Sequence, residues 1–303
     1  MIYEIHTDDQ LNVTGVELLG TAEGLAAGYS HLLPLAVGGR TRLLAYEKTS
    51  GVLDVFEVLG SAPWLTKLPF DLTVSPGLGH LEPFVMGNQN HLLCYDPKAG
   101  AFELLAITDD LSLSKPLRYS REREPGATQG FTTLKAFTTF GQLAILGYNF
   151  DDGHVAIFRL SVRTTSPPGV PPLWLTPVWS HYWAKGWTRF AFFQFGGENF
   201  VLKTNVLRPN VNIDHVLDDL SGTVPVGSHL DLHAADRLDI VHPLDLAGEG
   251  PHFVTYQKTG ETTVNRIRSD CLGWTRVASF RSKENAAHVV PYVLGSRTMM
   301  IVA

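Results

Sequence analysis

The chain has 303 residues, a formal net charge of −6 and a sequence isoelectric point of about 6.0. It carries no cluster of Lys and Arg able to neutralise a phosphate backbone, so nucleic acid is not an expected partner. No apolar run approaches the length of a bilayer, so no membrane span is expected either.

Read from the N-terminus, MIYEIH is one strand and GVELLG a second. A fuller unit opens at His31, HLLPLAVGGRTRLLAYEKTSG: an apolar strand, a glycine turn, an apolar strand ending in Tyr46, and a hairpin at Thr49-Ser50-Gly51. Such a tight hairpin calls for positive φ, which Gly adopts at no steric cost. The spacing predicts four strands in this unit, at residues 32–37, 41–46, 52–59 and 68–74. His80 opens a second copy, HLEPFVMGNQNHLLCYDPKAG. Others open at Thr133 (TLKAFTTFG), Arg189 (RFAFFQFGG), about Ile240 (IVHPLDLAG) and His288 (HVVPYVLGS). Asp152-Gly153 and Thr259-Gly260 repeat the hairpin. Two excursions, residues 121–130 and 163–172, are either functional loops or tolerated slack. The chain stops at MMIVA, the second strand of a copy whose third and fourth strands are the two at the N-terminus.

A repeat of about fifty residues belongs to an array whose units cannot bury their own apolar faces and must stack on one another. With 28 Gly and 18 Pro there are turn formers enough for many short strands, and no sustained helical periodicity is present. On these repeats the chain resembles an all-β, six-bladed β-propeller with four-stranded antiparallel blades. The N-terminal strands (third and fourth of a blade) would join the C-terminal ones (first and second) to close the ring and hide the sheet edges. An open sandwich with accidental self-similarity is the alternative, and it offers no reason to split one repeat across both termini. The resemblance implies one domain, 1–303, with blades at about 28–77, 78–130, 131–186, 187–235 and 236–286, and a split sixth at 287–303 plus 1–27.

Innermost propeller strands pack on both faces and should be apolar throughout. Here the first position breaks the rule: His288, His31 and His80 occupy it in three contiguous blades, Thr133 and Arg189 in the next two, and Ile240 or Asp239 in the fifth. Three imidazoles at one depth suit a divalent ion such as Zn or Fe with coordination positions left open, so His31, His80 and His288 are the candidate metal ligands. The competing reading is structural: an equivalent His persists because it hydrogen-bonds a neighbouring backbone. Two residues further along stand Leu33, Glu82, Lys135, Ala191, His242 and Val290. Glu82 is a candidate general base or partner of His80, or else half of a buried ion pair with Lys135. Arg189 offers a fork for an anionic substrate, or a salt bridge to Asp236 or Asp239; Arg189 and Asp239 complete the catalytic candidates. Tyr29, Phe131 and Trp187, with Thr133, form a candidate substrate rim, unless the rings merely fill gaps between blades.

Weaker candidates are HLDLH at 229–233, which has metal-ligand alternation, and WSHYW at 179–183, an aromatic platform for a sugar. Six-bladed calcium-dependent lactonases line their channel with Asp, Glu and Asn, and histidine-rich carotenoid-cleaving oxygenases have seven blades, so neither activity is carried over. Cys94 and Cys271 are isolated and no secretory leader is legible, which points to a cytoplasmic protein. The expected function is a metal-assisted enzyme (lyase, hydrolase, isomerase or cyclase) acting on a small organic molecule at the channel mouth. The alternatives are a carbohydrate-binding propeller and a protein-interaction scaffold.

Overall fold

The computed structural model describes all residues except 9–11, 26–27, 71, 115, 120–128, 163–172, 208–209, 231–237, 245 and 247–250. The excursion at 163–172, most of that at 121–130, Asp236 and most of the HLDLH motif therefore lie outside the described residues.

The described residues form six antiparallel sheets and no helix, so no helix is long and apolar enough to cross a membrane. Blade one holds His31–Val37, Arg40–Tyr46, Val52–Val58, and an outer strand in two pieces, Leu65–Lys67 and Leu72–Thr73. Both pieces pair with Val52–Val58, so the outer strand begins earlier than predicted and is interrupted. The break contains Pro69, which has no N–H to give to a ladder. The other inner strands are His80–Met86, Thr133–Thr139, Trp187–Phe195, Ile240–Leu244 and Val289–Leu294. In blade six Val289–Leu294 pairs with Arg297–Val302, which pairs with Ile2–Thr7, which pairs with Val13–Gly20. The two chain ends thus share one sheet, and the Met1 ammonium donates to the Val302 carbonyl at 2.8 Å.

The six inner strands touch in cyclic order, which makes the assembly a closed six-bladed β-propeller. Its core is divided: the described residues form six apolar clusters, one in each seam between blades. Each inner strand faces two seams, which is why its sequence is a nearly unbroken apolar run. Along Arg297–Val302, Met299 and Ile301 pack toward blade one while Met300 and Val302 pack toward blade five. At roughly 25 cal/mol per Å² of apolar surface removed from water, these seams supply the main drive for ring closure.

Polar groups fix the seams. Tyr46, Tyr148 and Tyr256 end the second strands of their blades, Tyr95 stands one residue before the end of its own, and all four are fully buried. The Tyr46 hydroxyl donates to the Ser75 carbonyl at 2.8 Å and accepts from the Leu78 amide at 3.1 Å, gripping the crossover into blade two. Tyr148 and Tyr256 make the same pair of bonds, to Ala184 and Trp187 and to Lys283 and Ala286. Tyr95 accepts from the Phe131 amide. The hairpin glycines serve the same crossovers. Gly51 has φ +80°, and a Cβ there would sit 2.3 Å from the Val74 carbonyl oxygen; Gly153 stands equally close to that of Trp183.

Candidate functional site along the propeller axis

The first-position residues pair with residues at the end of the neighbouring strand or one before it: His31 with Tyr46, His80 with Tyr95, Thr133 with Tyr148, Arg189 with Thr204, Ile240 with Tyr256. They therefore ring the mouth on the crossover side, and Ile240, not Asp239, holds the fifth place. Strand alternation turns their side chains toward the following blade, since Leu32 packs into the seam with blade six while Leu33 and Leu35 pack toward blade two.

That orientation gives the three histidines a task. His31 Nε2 lies 3.1 Å from the Gly79 carbonyl oxygen, on the residue before His80. His288 Nε2 lies 2.9 Å from the Tyr29 carbonyl oxygen, two residues before His31. His80 is directed to the backbone of Thr132, just before Thr133. Each imidazole latches its blade to the start of the next. The rings remain neighbours: His31 depresses the basicity of His80, and His288 that of His31. Burial does more, lowering His31 below its ordinary value and His80 to about 4. Among the described residues no three His, Cys, Asp or Glu side chains gather as a metal site. With Nε2 of His31 and His288 already on carbonyls, the trio does not fit one shared ion.

Arg189 does related work. Burial depresses its guanidinium while Asp239, the residue before the blade-five inner strand, offsets this. Its Nη1 reaches the Thr188 carbonyl at 3.5 Å and its buried Nε has no partner. The Asp239 carboxylate accepts from the Lys258 amide at 2.7 Å. The aromatic rim is corrected. Phe131 and Trp187 are 0% and 3% exposed, in the seams on either side of blade three. The Tyr29 hydroxyl donates to Asp54 at 2.5 Å beside the Lys67–Asp54 ion pair, and burial and that carboxylate push the phenol up. These rings fill gaps between blades. Thr133 is half-buried at the start of its strand.

One level deeper, the third positions bring together titratable groups. Lys135 Nζ lies 3.1 and 3.2 Å from the two Glu82 carboxylate oxygens, the ion pair between blades two and three that the sequence allowed. Their side chains retain 26% and 21% exposure, so the pair borders open space although protein surrounds it. Burial raises Glu82 above its ordinary value and the ammonium only partly restores it. His242, from blade five, feels the Lys135 charge, and burial drops it to about 4. Its Nδ1 lies 2.9 Å from the Pro243 carbonyl oxygen, an acceptor only, so Nδ1 carries the proton and Nε2 is left with a lone pair. Ala191 occupies the same level in blade four, a small side chain between Lys135 and His242 in ring order.

At the opposite, turn-side mouth lies a cavity of about 870 Å³ over blades three to five. Phe137, Phe192, Phe193 and Phe195 line it, with Thr138, Gln194 and Asn199. Phe137 stacks on Phe192 with centroids 5.9 Å apart, and Phe193 on Phe200 at 5.5 Å. Pro243 and Leu244 also line it, and His242 immediately precedes them. Sequence reasoning placed His242 at the third position without giving it a role, and passed over this cavity. The available signal was the density of rings in RFAFFQFGG, four phenylalanines where the other copies carry at most two Phe, Tyr or Trp. It also passed over Lys203 and Asp214, a fully buried ion pair in blade four with Lys203 Nζ 3.4 Å from the Trp183 ring centroid. Lys203 takes the place of Ala45, Cys94 and Gly147 in blades one to three and of Thr255 and Val302 in blades five and six, a charge where the repeat otherwise carries none.

No family model matches the sequence, and no curated protein is significantly similar to it. Solved structures share the fold. The major allergen Mala s 1 of Malassezia sympodialis superposes with a TM-score of 0.55 at 10% identity, over 89% of this chain and 85% of that one. A protein of Bacteroides fragilis provisionally described as a 6-phosphogluconolactonase gives 0.51 at 14% identity, covering 95% and 84%. An α-L-arabinofuranosidase of Clostridium thermocellum gives 0.51 at 9% identity, covering 86% and 95%. At these identities the likeness carries the architecture alone, on which enzymes are found.

Proposed function

We propose that this propeller is an enzyme that takes a small organic molecule into its axial channel, where Glu82, Lys135 and His242 meet it. One observation carries the reading: three titratable side chains from three blades share a level at which the other blades place Leu33, Ala191 and Val290. Structural need does not explain the set, since an apolar ring at that level would seal the axis at lower desolvation cost. Buried groups with shifted proton affinity that border open space are candidates for acid–base work. Glu82, raised by burial, is suited to exchanging a proton, and Lys135 to holding an oxygen on which negative charge develops. His242, neutral at pH 7, offers Nε2 to a substrate hydroxyl. This reading uses no metal ion, because the trio proposed to hold one is occupied in latching blades.

The test compares the wild-type chain with a Glu82→Gln/Lys135→Met variant, which removes both charges and so leaves neither unpaired. Each is incubated with a complex metabolite extract, and consumption is followed by mass spectrometry. At least one compound should be consumed by the wild type and spared by the variant, with both proteins melting within a few degrees of each other. A wild type that consumes nothing, or a variant that consumes the same compound at the same rate, sinks the axial assignment.

A further inference from the structure

The cavity at the turn-side mouth is assigned no task by the axial site alone. We infer that it binds an uncharged sugar, one ring face laid on phenylalanine and its hydroxyls met by Gln194 and Thr138. The inference rests on the axial reading only in naming what the channel receives.

Charge decides the first step. Among the described residues the lining holds no carboxylate, ammonium or guanidinium group, and His252 is its one titratable side chain. Among those residues a charged ligand meets no fixed charge of opposite sign to replace its lost hydration. The Lys135–Glu82 pair deeper in the channel is neutral as a unit and does not alter this. The second step concerns polarity. Gln194 and Thr138 are exposed at the same position of adjacent inner strands. The Gln194 amide nitrogen donates to Asn199 Oδ1 at 3.1 Å and reaches the Thr138 carbonyl at 3.5 Å, which fixes the side chain and leaves its oxygen directed elsewhere. A wholly apolar ligand would cover that oxygen and the Thr138 hydroxyl without replacing their water. The third step is shape. Along Trp187–Phe195 the Phe193 and Phe195 rings lean toward blade five, while Gln194 shares the other face with Phe192, so the cavity is met by rings and by a neutral amide. A sugar presents the matching pattern, C–H groups on its face and hydroxyls at its edge. A volume of about 870 Å³ admits more than one sugar unit.

Titration calorimetry on the full chain tests this, with neutral trisaccharides of glucose, xylose, arabinose and galactose, the corresponding uronic-acid trisaccharides, and N-phenylnaphthylamine as an uncharged apolar probe. At least one neutral trisaccharide should bind saturably, at least about tenfold more tightly than its uronic-acid counterpart. Gln194→Ala and Phe195→Ala should each weaken it by about tenfold or more; Gln194 is exposed, so that variant keeps its fold. The inference is overturned if no neutral trisaccharide binds below about 10 mM while the dye does. It is equally overturned if uronic acids bind as well as neutral sugars, or if both variants bind like wild type. Metabolite profiling separates the two readings. Sugar binding without consumption defeats the axial assignment alone, whereas consumption of a compound that is not a sugar defeats this inference alone.

Discussion

At the crossover mouth, polar side chains at the first positions lie sideways across seams, with His31, His80 and His288 on the backbone of the next blade. At the turn mouth of the same strands, Phe192, Phe193 and Phe195 are only partly covered and Gln194 stands exposed. Polarity at one end serves assembly, and aromatic surface at the other remains available. Residue type alone would have assigned the two ends the other way round. A histidine reads as chemistry and a phenylalanine as core, until it is known which atoms already have partners.

If that contrast is sound, changes near the crossovers should cost stability and changes at the turns should cost little. The largest effect is expected from Lys203→Met, which strands the buried Asp214 carboxylate. Chemical denaturation should show a loss of about 3–5 kcal/mol, largely recovered in Lys203→Met/Asp214→Leu. A single variant as stable as wild type would mean that blade four tolerates an unpaired internal charge. Next comes Tyr95→Phe, which leaves the Phe131 amide without its acceptor and should cost about 1–3 kcal/mol. Should it prove neutral, the tyrosines would be space-fillers and not clamps.

Acid sharpens the contrast further. His80 and His242 titrate at about 4 in the fold and His31 is also lowered, against an ordinary value of 6.5. The unfolded chain therefore binds these protons first. The stabilisation is complete above about pH 6.5 and drains away as pH falls toward 4. Glu82, raised by burial, acts in the opposite sense over part of that range. Melting temperatures measured across this window should fall, and His80→Gln should fall less steeply than wild type. Parallel curves would show that the latches do not govern acid stability. Gln194→Ala, at the turns, should change stability by no more than about 0.5 kcal/mol. Finally, a chelator should leave the melting temperature unmoved. A stoichiometric transition metal whose removal lowers it would return the histidine trio to metal binding.

The architecture was legible because a repeat writes the same constraint six times. Apolar strands, glycine turns and strand-ending tyrosines recur wherever a blade must press against two neighbours, and the split copy at the termini disclosed the closure. The Glu82–Lys135 pair was legible for a related reason, since opposite charges at one level of adjacent buried strands have nowhere else to go. The outer strand of blade one was misplaced because outer strands bury one face and leave weaker patterns, and Pro69 broke this one.

Which way a side chain leans was decided only by tertiary structure. Spacing alone places His31, His80 and His288 on three adjacent strands at one height, and that much needed no coordinates. Whether they converge on the axis or each reach across a seam depends on the stagger between blades, which brings the carbonyls of Gly79 and Tyr29 within hydrogen-bond range. The cavity lined by Phe193 and Phe195 is likewise a property of three blades together, because the space between strands is set by how whole sheets pack and not by any one of them.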